Sequence, residues 1–206
     1  MDTNGGAAAS DICSGVTWSN DFTGLSDDCG ETGSATVTFT ATDDCGNTST
    51  TTATFTIEDT VPPVIDIVAS DLTVECDGAG NQQDLQDFLE TNGVAAASDM
   101  CSGVTWSNDF TALSDDCGAT GSATVTFTAT DDCGNSVTTT ATFTIEDTAP
   151  PVIDIDASDL TVECDGAGNQ QDLQDWLDSN GGASATDNCS DVTWSNDFEV
   201  LSDECG

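Results

Sequence analysis

The chain has 206 residues, 39 of them Asp or Glu, with no Lys, Arg or His, for a formal net charge of −39. Without a side-chain cation it cannot neutralise phosphates or an anionic membrane surface, which excludes the usual modes of binding nucleic acid and lipid. Catalysis would have to rest on carboxylates, Ser, Thr or Cys, because Tyr is missing as well, and no carboxylate pair announces a cleft, so the expectation is not an enzyme.

High acidity with few aromatics can mark disorder. Strong apolar patterning and ten cysteines oppose that here. No apolar run is long enough to span a bilayer, and no signal peptide is visible. The dominant feature is internal repetition. The stretch from Cys13 to Phe22 recurs from Cys101 and, slightly altered, from Cys189, with a period of 88 residues. Between Cys13–Asp59 and Cys101–Asp147 only four positions differ: Gly24/Ala112, Glu31/Ala119, Thr48/Ser136 and Ser49/Val137. Proline cannot donate to a sheet ladder, so Pro62-Pro63 and Pro150-Pro151 mark the repeat ends. Residues 1–60 then read as the C-terminal part of one repeat, 61–148 as a complete repeat and 149–206 as the N-terminal part of the next. Met1 aligns with Leu89 and Leu177 inside a predicted helix, so the expectation is an excerpt of a longer array.

Within the complete repeat, Val64–Val68 and Leu72–Glu75 read as short strands. In Gln82–Glu90, Leu85, Phe88 and Leu89 fall at helical spacing and Asn92-Gly93 stops the run, predicting a short inserted helix. Val104–Ser107 is a third short strand carrying Trp106, with Trp18 and Trp194 as its counterparts. A core tryptophan is expected there rather than a sugar-stacking one. Ser122–Thr130 alternates strictly, with Ala123, Val125, Phe127 and Ala129 on one face. Thr138–Ile145 does the same with Ala141, Phe143 and Ile145. The intervening Asp131-Asp-Cys-Gly-Asn135 is a turn cluster, so the pair predicts a long hairpin. The threonine faces suit exposed strands. The expected fold is all-β: tandem immunoglobulin-like β-sandwich repeats with a short inserted helix, stapled by disulfides.

Each full repeat holds Cys76, Cys101, Cys117 and Cys133. Structural zinc favours a short Cys-x-x-Cys knuckle, which is missing, so disulfides and an oxidising compartment are expected. Sequence leaves the connectivity open. Cys101 precedes the third strand and Cys133 sits in the hairpin turn, both at one pole. That favours Cys101–Cys133, and by repetition Cys13–Cys45, leaving Cys76–Cys117 and Cys164–Cys205. The Cys76–Cys117 pair fits less well, because Cys117 lies toward the opposite pole.

The carboxylates lack cationic partners and must be relieved by metal, salt or solvation. Glu58 and Asp59 end one repeat, as Glu146 and Asp147 end the next. With Asp99, Asp131, Asp132 and Asn135 on facing loops they form a hypothetical calcium site. The competing reading is solvated turn residues, since no EF-hand or nonapeptide calcium loop is present. Asn47-Thr-Ser49 and Asn188-Cys-Ser190 match the N-glycosylation pattern.

Thr-Ala-Thr-Asp-Asp-Cys-Gly-Asn, at 40–47 and 128–135, and Asp-Thr-Val/Ala-Pro-Pro, at 59–63 and 147–151, resemble the hyalin-type (HYR-like) immunoglobulin repeats of giant Bacteroidota cell-surface adhesins, most like those of gliding motility. The resemblance covers the whole chain. It implies type IX secretion, attachment at the outer membrane of a Gram-negative cell, long filaments and propulsion by the gliding machinery. It also implies O-glycans at Thr60 and Thr148. The expected function is a stalk repeat for surface attachment and gliding; the alternative is a calcium- or glycan-binding extracellular module. Expected partners are neighbouring repeats of the same chain and, through other regions, an external surface or polysaccharide.

Overall fold

In the computed structural model, which describes residues 4–200, the alternating segments form long strands and the helical spacing forms a helix. In chain order the strands are β1 (Val16–Asn20), β2 (Gly33–Asp43), β3 (Thr48–Ile57), β4 (Val64–Ile67) and β5 (Leu72–Glu75). Helix α1 (Gln82–Glu90) follows, then β6 (Ala96–Ser98), β7 (Val104–Asn108), β8 (Gly121–Asp131), β9 (Ser136–Glu146), β10 (Val152–Ile155), α2 (Gln170–Asp178) and β11 (Ser184–Thr186). The described chain is thus mainly β-sheet with two short α-helices. Several elements 88 residues apart have the same form: β1 and β7, β2 and β8, α1 and α2 match in length.

One sheet has the order β1-β2-β3 and another the order β5-β9-β8-β7. β5 runs parallel to β9, pairing Leu72 with Phe143 and Val74 with Ile145. β4 pairs antiparallel with β6, and β10 pairs likewise with β11, each with a register shift at its second half. β6 was not expected. Ala-Ala-Ser carries no alternation signal, and it becomes a strand because β4 offers it an edge.

α1 ends where Asn92 and Gly93 take positive φ values of 55° and 60°, a left-handed stop that Asn and Gly tolerate best. The core of the complete repeat comes from the inward faces of β8 and β9. Val125, Phe127, Ala129 and Phe143 have no solvent exposure, and Ala141 and Ile145 almost none. Phe88 of α1 meets Phe143 with ring centroids 5.5 Å apart. Trp106 is only half-buried, so the core is built on phenylalanines rather than on the expected tryptophan.

The chain divides into two compact units. The first comprises Met1–Ala69, Val94–Asp109 and Thr126–Thr140; the second comprises Ser70–Gly93, Phe110–Val125 and Ala141–Gly206. Each unit gathers residues from both sides of one repeat boundary. No helix among the described residues is long and apolar enough to cross a membrane.

Candidate functional site: the cysteine-bridged repeat boundaries

In each unit the loop before the long strand β2 or β8 of one repeat meets the cysteine loop before the Trp-bearing segment of the next. In the first unit the Glu31 N–H donates to the Cys101 carbonyl at 2.8 Å. In the second the Ala119 N–H donates to the Cys189 carbonyl, also at 2.8 Å. Both donors and both acceptors are 88 residues apart, so the two boundaries are built alike. The approach is close enough to require glycine at the preceding position. Gly30 and Gly118 have φ of 56° and 59°; a Cβ there would collide with the Cys101 and Cys189 carbonyls respectively.

Two disulfides cross these boundaries. Cys29 is bonded to Cys133 with a Cα–Cα distance of 5.2 Å, and Cys76 to Cys189 at 6.1 Å, both within the ordinary range. This corrects the expected pairing. Cys101–Cys133, Cys13–Cys45 and Cys76–Cys117 are not bonds; Cys13, Cys45, Cys101, Cys117 and Cys164 are thiols. Cys205, in the expected Cys164–Cys205 pair, lies outside the described residues. Cys101 and Cys133 do share a pole: the Gly103 N–H donates to Asp132 Oδ2 at 3.0 Å, and the Asp132 N–H to Ser102 Oγ at 3.3 Å. That pole faces the preceding repeat, whose Cys29 reaches Cys133. The bridges point to an oxidising compartment.

The acidic residues around the first boundary act mainly as turn ligands. Asp99 Oδ1 accepts the N–H groups of Cys101 and Ser102 at 2.8 and 3.0 Å. The almost fully buried Asp131 accepts the Asn135 N–H and Nδ2, both at 2.8 Å. Burial alone would raise its pKa, but the Asn135 side chain and backbone hold it below the ordinary carboxylate range. Asn135 Nδ2 also reaches across the boundary to the Asp59 carbonyl at 3.2 Å. At the second boundary Asp147 Oδ2 accepts from Ser190 Oγ at 3.4 Å. Glu58 and Glu146 are exposed.

Of the expected calcium ligands, the structure brings Asp59 and Asp99 together, with the Cys101 Sγ as third atom, all within 4.8 Å. Asp59 Oδ2 is buried without a hydrogen-bond partner. The donor set does not fit calcium, which takes about six to eight oxygens and no thiolate. Burial and then the nearby Asp59, Asp99, Glu31 and Asp131 carboxylates raise the Cys101 pKa, favouring the protonated thiol. The expected result of adding EDTA at matched ionic strength is therefore an unchanged melting temperature. A drop reversed by calcium alone would show that these carboxylates hold the ion.

Three of the four modification candidates are engaged in hydrogen bonds. The Thr148 N–H and Oγ1 both donate to Glu75, each at 2.9 Å; Thr60 is exposed. Asn47 Nδ2 donates to Asp43 at 2.7 Å and Asn188 Nδ2 to the Cys76 carbonyl at 3.1 Å. Asn188 thus bonds across the second boundary, whereas the Thr148–Glu75 bonds lie within the complete repeat. No family model matches this chain and no curated protein matches it significantly.

Proposed function

We propose that this chain is a structural segment of a long extracellular stalk or filament, made of immunoglobulin-like sandwich repeats of the hyalin type and belonging to a very large cell-surface adhesin of a gliding bacterium. The observation that supports this best is the covalent bridging of successive repeats, Cys29 to Cys133 and Cys76 to Cys189. Within a repeat, a disulfide stabilises one domain. Between repeats, it fixes the orientation of neighbours, which suits a part that holds something at a distance. The charge of −39 keeps neighbouring filaments apart. No catalytic step is assigned. Export, anchoring and propulsion follow from the family resemblance and belong to this same proposal.

Small-angle scattering of the dilute, oxidised chain tests the reading. The expected profile is that of a rod, with a radius of gyration well above the roughly 17 Å of a globule this size. A compact profile would reject the stalk.

A further inference from the structure

The β4–β6 and β10–β11 sheets are the same pair of strands in two settings, with the same register shift. The first belongs to a repeat that has its long hairpin β8–β9; the second is described without one. Ile65 is half-buried in the first setting, whereas its counterpart Ile153 is 51% exposed, so Ile65 faces the core. Val64 and Ile67 behave otherwise. They are 62% and 55% exposed, against 65% and 58% for Val152 and Ile155. Completing the repeat leaves them uncovered, so they face away from its core. Two more apolar side chains join them in this repeat alone. The exposed Val68 stands where the next repeat has Asp156, and the exposed Val94 stands where the flanking repeats have Gly6 and Gly182. Ile67 pairs with Ala96, so Val68, just past β4, and Val94, just ahead of β6, lie at the same end of the sheet. All four belong to the first compact unit. Val94 has a φ of 63°, a region that β-branched residues avoid, and its two glycine counterparts both have a φ of 80°. A side chain 61% exposed gains little from packing to offset that strain. A strained backbone kept without a packing return points to function.

We propose that Val64, Ile67, Val68 and Val94 form a docking surface for an extended segment of another protein, one that interleaves apolar residues with Lys or Arg. Charge selects this occupant. Asp66 lies exposed between Val64 and Ile67, in a chain of net charge −39 with no side-chain cation. A second copy would set Asp66 against further carboxylates, and like charges brought together are costly. A basic segment is drawn in by the field of the chain and then covers the apolar side chains. The strands favour an extended form. β4 and β6 make a sheet of two strands, so its outer edges offer main-chain donors and acceptors to an added strand. The surface marks one repeat out from its neighbour, because Asp156 and Gly182 take the places of Val68 and Val94 there. A regular stalk thereby acquires an address at one position along its length.

The docking surface stands apart from the stalk reading, which scattering tests without any partner. Its own test uses the whole oxidised chain and two synthetic peptides, one alternating Lys with Val and one alternating Lys with Ser. Both are titrated calorimetrically at low and high salt, since salt screens diffuse attraction to a polyanion. The expected result is that the Lys-Val peptide still binds at high salt while the Lys-Ser peptide does not. Hydrogen exchange should locate it, with slowed amides at 64–68 and 94–98. Val68→Asp and Val94→Gly install residues that the neighbouring repeats already carry, so both variants should fold. Each should weaken binding at this site about tenfold, the value of one buried valine, and the double variant should lose the protection at 64–68 and 94–98. Val94→Gly should also raise the melting temperature by releasing the backbone. Equal binding of the two peptides at high salt, protection unchanged in the double variant, or a lower melting temperature for Val94→Gly would each overturn the proposal. So would self-association of the wild-type chain that the double variant abolishes, because the occupant would then be a second copy.

Discussion

Replacing Cys133 with serine is expected to lower stability by about 2–5 kcal/mol, the usual cost of losing a native disulfide in a small domain. Replacing Cys101, one loop away, should change the dilute chain by no more than about 0.5 kcal/mol. The two residues share a pole and are both half-buried, so connectivity is the main difference between them. Cys133 closes a loop 104 residues long with Cys29, and long loops lose the most denatured-state entropy when bridged. Cys101 is an unbridged thiol. Urea unfolding without reductant reads the difference. Cys29→Ser should reproduce Cys133→Ser, and the double variant should add nothing, because both remove the same bond. Equal losses for Cys101→Ser and Cys133→Ser, with no loss for Cys29→Ser, would restore a bridge within the repeat.

Phe143→Ala should cost about 3–5 kcal/mol, the usual penalty for emptying a buried aromatic site. Phe55→Ala, the same substitution in an identical run of residues, should cost no more than about 0.5 kcal/mol in the dilute chain. Phe143 is wholly buried against Phe88, whereas Phe55 is 61% exposed. Thermal melting of both variants at low concentration measures it. A large loss for Phe55→Ala at dilution would mean that the β3 face is covered within a single chain.

Much of the fold was legible because it is written in alternation. Val125, Phe127 and Ala129 on one face of β8, and Ala141, Phe143 and Ile145 on one face of β9, are the buried set, and period two with β-branched neighbours has few other solutions. Helix α1 was legible from Leu85, Phe88 and Leu89 and from the stop at Asn92-Gly93. β6 was not, because three small residues take strand form only from a partner edge. Trp106 misled: a large aromatic on a short edge strand is half covered, while the hairpin phenylalanines take the centre.

The cysteine connectivity was hidden for a different reason. Placing Cys101 and Cys133 at one pole was sound, but a pole in a tandem chain faces another repeat. The clue was Cys117, which sat toward the wrong end for Cys76. A cysteine near the far end of one repeat and one near the start of the next are neighbours across the boundary. The same oversight affected the acidic residues. Asp59, Asp99 and Asp131 do gather there, yet their oxygens mostly receive N–H groups of turns, a use that local side-chain chemistry favours over metal.

The two bridges also interleave along the chain. Cys76 lies inside the loop from Cys29 to Cys133, and Cys133 lies inside the loop from Cys76 to Cys189. A single backbone cut anywhere between residues 30 and 188 therefore leaves both fragments tied by at least one sulfur–sulfur bond. Exposed turns are where proteases nick first, and here a nick does not sever. Within that span, one cut separates the pieces only if a bridge is also reduced.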